Sequence, residues 1–329
     1  LKLRVGYGTV GNQEIGLYSF RSVLRAQTIA FGDVLTTVYS PDNIANPAVK
    51  WETSIQTNIG VDFGMFNNRF EVIFDIYNKI SKDMLLQQII PATAGGFTPP
   101  FINIGEMRNR GIELTFNTQN FIKPIDWRTS FNFSVNRNQV INLGTNGSIP
   151  GVIQRVPLTR TVEGEPIGQF YGHVTDGIFN SLEEIAEAPF QETGTRPGDI
   201  KFKDLNGDNV INDADRTFIG NPNPDWTANL INDFAWKNFD LNIFFQGSYG
   251  GDVMNLTNVQ LFNGDSNATT DILNAWTPTN TDTDIPRVRL RGKQITSRFV
   301  EDGSYLRLKN IALGYKLPST LTDKANLGN

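Results

Sequence analysis

Cysteine is absent from the sequence, and histidine occurs once, at His173, in a chain of 329 residues. Without cysteine the chain has no disulfide framework and no thiolate metal site. A single histidine leaves almost no material for a catalytic triad or a histidine-based zinc site. The segment "FYGHVTDG" around His173 is interpreted as a short strand in which the histidine has a packing role. We therefore predict that the protein is not an enzyme.

Long apolar runs and an excess of positive charge are also missing. No uninterrupted apolar run is longer than three residues, whereas a membrane-spanning helix needs about 20. The net charge of −5 gives no basic surface for phosphate contacts, so we predict no nucleic-acid partner. The opening residues "LKLRVGYGTV" are strand-like and lack the layout of a secretory signal.

Alternation of apolar and polar residues is the pattern that the sequence does contain. In "WETSIQTNIGVDFG", residues 51–64, every second residue from Trp51 to Phe63 is apolar or threonine, and the residues between them are polar or glycine. A period of two predicts an extended strand with one apolar and one polar face. This pattern runs over fourteen residues, well beyond the roughly 5–6 residues of an ordinary strand.

The same alternation recurs along the chain and predicts about eight strands. Short turns such as "MFNN" join some of the strands, and long segments join the others. The long segments are 9–50, 82–104, 139–225 and 251–303. Long loops at one end and tight turns at the other are typical of an outer-membrane barrel.

These features predict an all-β fold, an antiparallel transmembrane β-barrel with long extracellular loops. We call every second residue along a strand a file, so each strand has one polar and one apolar file. The polar files would line a solvated interior, and the apolar files would face outer-membrane lipid. Six aromatic residues fall near strand ends, where the aromatic girdles of a barrel lie: Trp51, Phe63, Trp127, Trp226, Trp236 and Phe239. The alternative is a soluble secreted β-sandwich that acts as a binding protein with a calcium-stabilised loop.

The segment "DLNGDNVINDAD", residues 204–215, has the spacing of an EF-hand-like calcium loop. The predicted ligands occupy positions one, three, five, seven, nine and twelve: Asp204, Asn206, Asp208, Val210 through its carbonyl, Asn212 and Asp215. Position six is Asn209 instead of glycine, and position twelve is Asp instead of Glu. The alternative is a turn-rich loop whose Asp and Asn side chains cap their own backbone. We predict a structural Ca²⁺ that stiffens an exposed part of 139–225.

Several sequence blocks follow one another in an order that identifies a family. They are "NPAVKWETSIQTNIGVDFG", "DIYNKISKDMLL", "NIGEMRNRGIELTF", "EGEPIGQFYGHVTDGIFNSLEEI", "KDLNGDNVINDADRTFIGNPNPDW" and "EDGSYLRLKNIALGYKLP". Together they resemble the C-terminal barrel portion of SusC/RagA-family TonB-dependent transporters of the Bacteroidetes type. The resemblance implies a 22-stranded barrel in the cell outer membrane, an N-terminal plug and a SusD-like lipoprotein partner. It also implies TonB-dependent import of glycan or peptide fragments.

Two departures from that family pattern affect the expectations. No block in residues 1–329 matches a plug domain or a TonB-contacting segment, so we expect TonB to act through a part of the protein outside this sequence. About eight strands are too few for a transporter-sized cylinder. We therefore expect residues 1–329 to be the C-terminal part of the barrel, and the substrate-contacting residues are not assigned.

Overall fold

The structure is a computed structural model that describes residues 1–14, 18, 20–88, 90, 93, 97–153, 156–262, 267–289 and 294–318. Eighteen strands and two short α-helices make up its regular elements. The helices are α1 (Leu182–Glu187) and α2 (Leu256–Leu261). No helix among the described residues is both long enough and apolar enough to cross a membrane.

Eight of the strands form one antiparallel sheet, the main sheet. In chain order the first nine strands are β1 (Lys2–Asn12), β2 (Leu24–Phe31), β3 (Val34–Pro41), β4 (Glu52–Met65), β5 (Phe70–Gln87), β6 (Phe101–Phe121), β7 (Asp126–Asn142), β8 (Ser148–Ile153) and β9 (Val156–Val162). The others are β10 (Gln169–His173), β11 (Thr175–Ile178), β12 (Ile200–Phe202), β13 (Arg216–Gly220), β14 (Trp226–Trp236), β15 (Phe239–Tyr249), β16 (Asp252–Met254), β17 (Val300–Asp302) and β18 (Tyr305–Tyr315). The main sheet has the order β1-β4-β5-β6-β7-β14-β15-β18.

The main sheet has eight strands, which agrees with the number of about eight predicted from alternation. Short turns join β4 to β5, β6 to β7 and β14 to β15, and longer segments make the other connections. Because neighbouring strands are antiparallel, all the short turns lie at one end of the sheet and all the long segments at the other. We call these the turn end and the loop end. Strands β6 and β7 are long because β6 pairs with β7 from Glu106 to Phe121 and continues to Phe101 by pairing with β5.

Strand pairing places the apolar residues of neighbouring strands in common rows. Three of these rows cross four or more strands of the sheet: Val5–Ile59–Ile76–Ile112–Val135, Leu3–Val61–Phe74–Leu114–Phe133 and Phe63–Val72–Phe116–Phe131–Leu230. Ile59 and Ile76 are 54% and 50% exposed, so no second sheet among the described residues covers this face. The sandwich alternative required such a cover, and the structure does not support it.

The last strand, β18, contains a bulge that explains its irregular sequence pattern. Phe245 pairs with Leu308, and the preceding Phe244 pairs with Asn310, so Lys309 has no opposite residue. One extra residue moves every later side chain to the other face. The apolar file therefore passes from Leu308 to Ile311, which restores one apolar face in a segment whose sequence does not alternate evenly.

The opposite face of the main sheet is polar and contains an ion triad across three strands. Arg4 of β1 donates to Asp62 of β4 over 2.9 Å and to Asp75 of β5 over 2.8 Å. Gly60 leaves room for this triad, because a Cβ there would lie 2.2 Å from the Asp75 Oδ1 and 2.8 Å from the Arg4 Nη2. The triad fixes the register of β1 against β4 and β5.

Most of the fully buried residues lie outside the main sheet, in a unit that we call the cap. The cap consists of the described residues of 143–225 and 250–304, which are the connections from β7 to β14 and from β15 to β18. It contains a four-stranded sheet of order β13-β10-β9-β8 and the pairs β11–β12 and β16–β17. Both of its segments lie at the loop end of the main sheet.

Candidate functional site

A shared apolar core joins the two segments of the cap. Leu158 and Phe170 come from the first segment, and they form one buried cluster with residues of the second, namely Met254, Val259, Ile295 and Phe299. Burial of a large apolar side chain contributes about 1.5–3 kcal/mol. The two long connections therefore fold together as one packed unit above the loop end, not as two independent loops.

A buried carboxylate makes the strongest polar contacts between the two segments. Asp199 in the first segment is 1% exposed. The Nε and Nη2 atoms of Arg287 in the second segment donate to its two oxygens over 2.9 and 3.0 Å. The Nε of Arg289 lies 3.0 Å from the Asp199 Oδ1, and Arg289 also pairs with Glu192. The two arginines therefore balance the negative charge of Asp199 inside the cap.

The side chains of Ser181 and Glu184 hold the first turn of helix α1. The Ser181 Oγ accepts a hydrogen bond from the Glu184 N–H over 3.1 Å. The Glu184 carboxylate accepts from the Asn180 N–H over 2.8 Å and from the Lys201 Nζ over 3.1 Å. The Asn180 N–H lowers the pKa of Glu184 from its ordinary value of 4.5, and Lys201 lowers it further.

Residues 204–215 connect β12 to β13 inside the cap. The two oxygens of Asp204 accept the backbone N–H groups of Gly207 and Asn209, over 2.7 and 2.8 Å. Asp215 is fully buried and accepts from the Leu205 N–H over 2.9 Å. Asn209 has a φ of +63°, the left-handed conformation for which the calcium loop normally uses glycine at its sixth position. The first and last predicted ligands thus close the loop on itself.

The other predicted ligands lie along the exposed side of the same loop. Asp208 accepts from the Val210 N–H over 2.8 Å, and Asn206 accepts from the Asp208 N–H over 2.9 Å. The Asn212 Oδ1 accepts from the Ala214 N–H over 2.8 Å, which begins the short 3₁₀ turn Asp213–Asp215. These contacts are the self-capping that the alternative interpretation of the loop expected.

The donor chemistry of the loop suits a hard cation, but three of its carboxylates do not meet at one point. Within the described part of the chain, no three Asp, Glu, His or Cys side chains gather into a group that could hold a metal ion. Each ionised carboxylate oxygen retains acceptor capacity after one hydrogen bond. Binding of Ca²⁺ through all three carboxylates would therefore bring Asp208 closer to Asp204 and Asp215. The calcium site stays a prediction.

A cavity of about 300 Å³ lies beside this loop, between the two segments of the cap. His173 lines it, at the end of β10 as the sequence predicted, and its Nε2 lies 2.9 Å from the Asn212 carbonyl oxygen. The His173 ring packs against Phe202, with centroids 5.3 Å apart. The histidine thus holds the loop against the small sheet, which agrees with a packing role.

Comparison with known proteins gives a family match over the full length of the chain. The family model described as "TonB dependent receptor-like, beta-barrel" matches residues 1–329. The chain belongs to this family. TonB-dependent receptor P3 of Formosa agariphila is 39% identical over 99% of the chain. TonB-dependent receptor SusC of Bacteroides thetaiotaomicron is 26% identical over 96% of it. The chain spans about a third of the length of both relatives, 33% and 31%.

The solved structures agree with the sequence relatives. "Structure of the RagAB peptide transporter" superposes with a TM-score of 0.80, at 26% identity, over 97% of this chain and 34% of that chain. The predicted SusC/RagA type and the antiparallel barrel fold are therefore confirmed, and the chain is an outer-membrane protein. These relatives are receptors and transporters, which agrees at that general level with the prediction that the chain is not an enzyme.

The residues that hold the cap together were missed by the sequence analysis. Asp199, Arg287 and Trp276 come from distant parts of two long segments, and no local pattern distinguishes them from surface residues. The Trp276 Nε1 donates to the Asn180 Oδ1 over 2.9 Å. The one signal available was the rarity of tryptophan, because a tryptophan inside a long polar segment needs a place to be buried.

Proposed function

We propose that this chain is part of an outer-membrane importer that takes up glycan or peptide fragments in a TonB-dependent manner. The observation that carries the proposal is the combination of a two-faced main sheet and a folded cap in a chain that matches the receptor family throughout. The apolar face suits lipid, and the polar face suits a solvated passage. The cap lies where a solute would enter that passage.

The orientation in the membrane follows from the two ends of the main sheet. Outer-membrane barrels have short periplasmic turns and longer extracellular loops. The loop end, with residues 139–225 and 251–303, is therefore assigned to the cell exterior. A SusD-like surface lipoprotein would dock there, against the cap. The packing of both segments around one core supports this role, because it offers such a partner a fixed surface.

The description of one solved relative supports one of the two proposed substrate classes. One relative is a SusC receptor, and the RagAB structure is described as a peptide transporter. The RagAB description applies to that protein and supports peptide fragments for this chain, and glycan fragments are the second class that the SusC/RagA resemblance implies. Coupling to TonB is assigned to a part of the complete receptor outside residues 1–329.

Uptake by cells tests the proposal directly. A strain that lacks the complete receptor is compared with the wild type for accumulation of labelled oligosaccharides and of labelled peptides, with and without depletion of TonB. Loss of uptake of one class in both the deletion and the depleted strain is expected. Unchanged uptake of both classes in the deletion strain would contradict the proposal.

Purification of the complex gives an independent test of the partner. The complete receptor is isolated from native membranes with an affinity tag, and co-purifying proteins are identified by mass spectrometry. A stoichiometric surface lipoprotein is expected. Recovery of the receptor alone, under conditions that preserve other outer-membrane complexes, would argue against the lipoprotein.

A further inference from the structure

Three arginines lie in the outward-facing file of the main sheet at its loop end. Arg108 and Arg110 of β6 share a face with Ile112 and Leu114, since the pairing of β6 with β7 is unbroken from Met107 to Gln119. Arg110 pairs directly with Arg137 of β7, which lies in the same file as Val135. We call Arg108, Arg110 and Arg137 the arginine cluster.

The arginine cluster lies at the edge of the apolar band. Arg137 follows Trp127 by ten positions on β7. At ~3.4 Å per residue and a strand tilt of ~40°, that distance is about 25 Å along the membrane normal. The outward apolar band of such barrels is ~25 Å tall. At the same level Trp226 stacks on Tyr249, with ring centroids 5.6 Å apart, as expected for an aromatic girdle. The cluster therefore reaches the lipid headgroups.

The positive charge of the arginine cluster is only partly balanced by the protein. Arg137 donates to the Asp225 carboxylate over 2.8 Å. Arg110 is exposed and has no hydrogen bond or ion pair with any described residue, and the buried Nε of Arg108 has no partner in the same part of the chain. Like charges on directly opposed strand positions destabilise a sheet. Two guanidinium groups are thus left without an anion beside lipid.

Neighbouring charges do not supply the missing anion. Lys82 and Glu106 lie 3.7 Å apart and neutralise each other. The residue of β5 that pairs with Arg110 is Asn78, and the one that pairs with Arg108 is Ile80. No described carboxylate forms an ion pair with Arg108 or Arg110, and none of the residues that pair with them on β5 and β7 is acidic.

We propose that the arginine cluster binds the phosphate of an anionic lipid in the leaflet at the loop end. The guanidinium fork matches the geometry of phosphate oxygens, and two adjacent forks suit a single phosphate group. The arginine cluster is on the outward, lipid-facing side of the main sheet, whereas a transported solute would contact the polar face. The ligand is therefore a lipid and not a transported solute. This inference rests on the barrel fold and the outer-membrane location, and it is independent of the substrate.

Lipid binding by the complete receptor in detergent is the test. Native mass spectrometry and thermal unfolding are recorded with added phosphatidylglycerol and, separately, with zwitterionic phosphatidylcholine. The wild type is expected to bind and to be stabilised by phosphatidylglycerol preferentially. The double variant Arg108→Gln, Arg110→Gln is expected to bind it about thirtyfold more weakly, since each basic residue near an anionic headgroup contributes roughly 1 kcal/mol.

A matched control removes two arginines from the opposite face. Arg128 and Arg307 lie in polar files, so Arg128→Gln with Arg307→Gln is expected to leave phosphatidylglycerol binding unchanged. Heat-dependent mobility on gels verifies that each variant is a folded barrel. If the variant Arg108→Gln, Arg110→Gln fails to fold, the variant Arg108→Lys, Arg110→Lys takes its place. It keeps the positive charge but loses the guanidinium fork, and it is expected to bind phosphatidylglycerol more weakly than the wild type.

Three results would overturn the inference. They are equal binding of the two lipids by the wild type, the same loss in the control as in the cluster variant, and displacement of the lipid by inorganic phosphate. The last would show that the cluster is a site for a soluble anion.

Discussion

Asp199 and Arg287 form a two-pronged ion pair that ties together the two long segments of the cap. The Nε–Oδ1 and Nη2–Oδ2 distances are 2.9 and 3.0 Å. Asp199 is almost fully buried, and Arg289 shares the same carboxylate. This contact and one apolar core hold the cap together at the loop end, so its stability can be measured separately from that of the barrel.

Replacement of Asp199 by alanine is expected to destabilise the cap by about 3–5 kcal/mol, because it leaves Arg287 and Arg289 without their shared anion. The barrel should still assemble, since Asp199 lies outside the main sheet. Limited proteolysis of the folded receptor measures the effect as faster cleavage within 143–225. The exposed pair Arg25–Asp42 provides the control, where Arg25→Ala should cost no more than about 1 kcal/mol. Equal protease resistance of Asp199→Ala and the wild type would contradict the role of the pair.

Gly198 lies at a point of close approach in the same contact. It has a φ of +88°, and a Cβ would lie 2.6 Å from the Trp276 ring and 2.7 Å from the Arg287 Cβ. Gly198→Ala is therefore expected to cost clearly more than the ~1–2 kcal/mol of a left-handed alanine. Gly194 has a φ of +91° and open space around its Cβ position, so Gly194→Ala isolates the backbone cost. Similar shifts in the unfolding temperature of the cap for both variants would show that the close approach is not limiting.

The main sheet could be predicted from the sequence because its information is local. In β4 the apolar or polar character of each residue indicates which face of the sheet it occupies. A register slip of one residue would move Asp62 to the apolar face and Phe63 to the polar face. The bulge at Lys309 shows the limit of that approach, because an insertion in one strand is defined only by its partner, β15.

The cap could not be predicted in this way. Leu158 and Phe299 are apolar residues in segments without period, and only the folded chain brings them into one cluster.

The calcium loop shows a different limit. The sequence specifies the residue types at 204–215, and the left-handed Asn209 agrees with a tight turn at that position. Spacing alone does not specify whether the oxygens meet around an ion or accept backbone N–H groups, because the same Asp and Asn side chains do both. The choice depends on a free-energy difference between two conformations of one loop.

Opposite faces of β6 give a direct test of which side meets lipid. Leu114 lies in an apolar row, and the neighbouring Glu113 is exposed on the polar face. Leu114→Lys should cost about 2–4 kcal/mol near the membrane midplane and strongly reduce the amount of folded receptor in outer membranes. Glu113→Lys should be tolerated. Quantitative gels of heat-modifiable barrel measure both, and equal yields would refute the assignment of faces.

Removal of two predicted calcium ligands tests the loop. Asp204→Ala combined with Asp208→Ala is expected to abolish binding of one Ca²⁺ and to increase hydrogen exchange of 204–215, with the barrel unchanged. Calcium content is measured by mass spectrometry after equilibration at ~1 mM Ca²⁺, a concentration at which extracellular calcium modules are occupied. Asp213→Ala is the control, because Asp213 is in the same loop and outside the predicted ligand set. An identical calcium content in the double variant and the wild type would rule out the site.

Acid is expected to loosen the start of α1 through Glu184. The Asn180 N–H and Lys201 lower the pKa of this carboxyl from 4.5. A folded pKa below the unfolded one means that the stabilising contribution is complete above pH 4.5 and is lost as the pH falls through the folded pKa. Hydrogen exchange of 180–188, corrected for its intrinsic pH dependence, should show falling protection only below pH 4.5. Glu184→Gln should flatten that dependence, whereas Glu187→Gln, on the exposed side of the same helix, should retain it. An unaltered profile in Glu184→Gln would assign the acid sensitivity to another carboxylate of the cap.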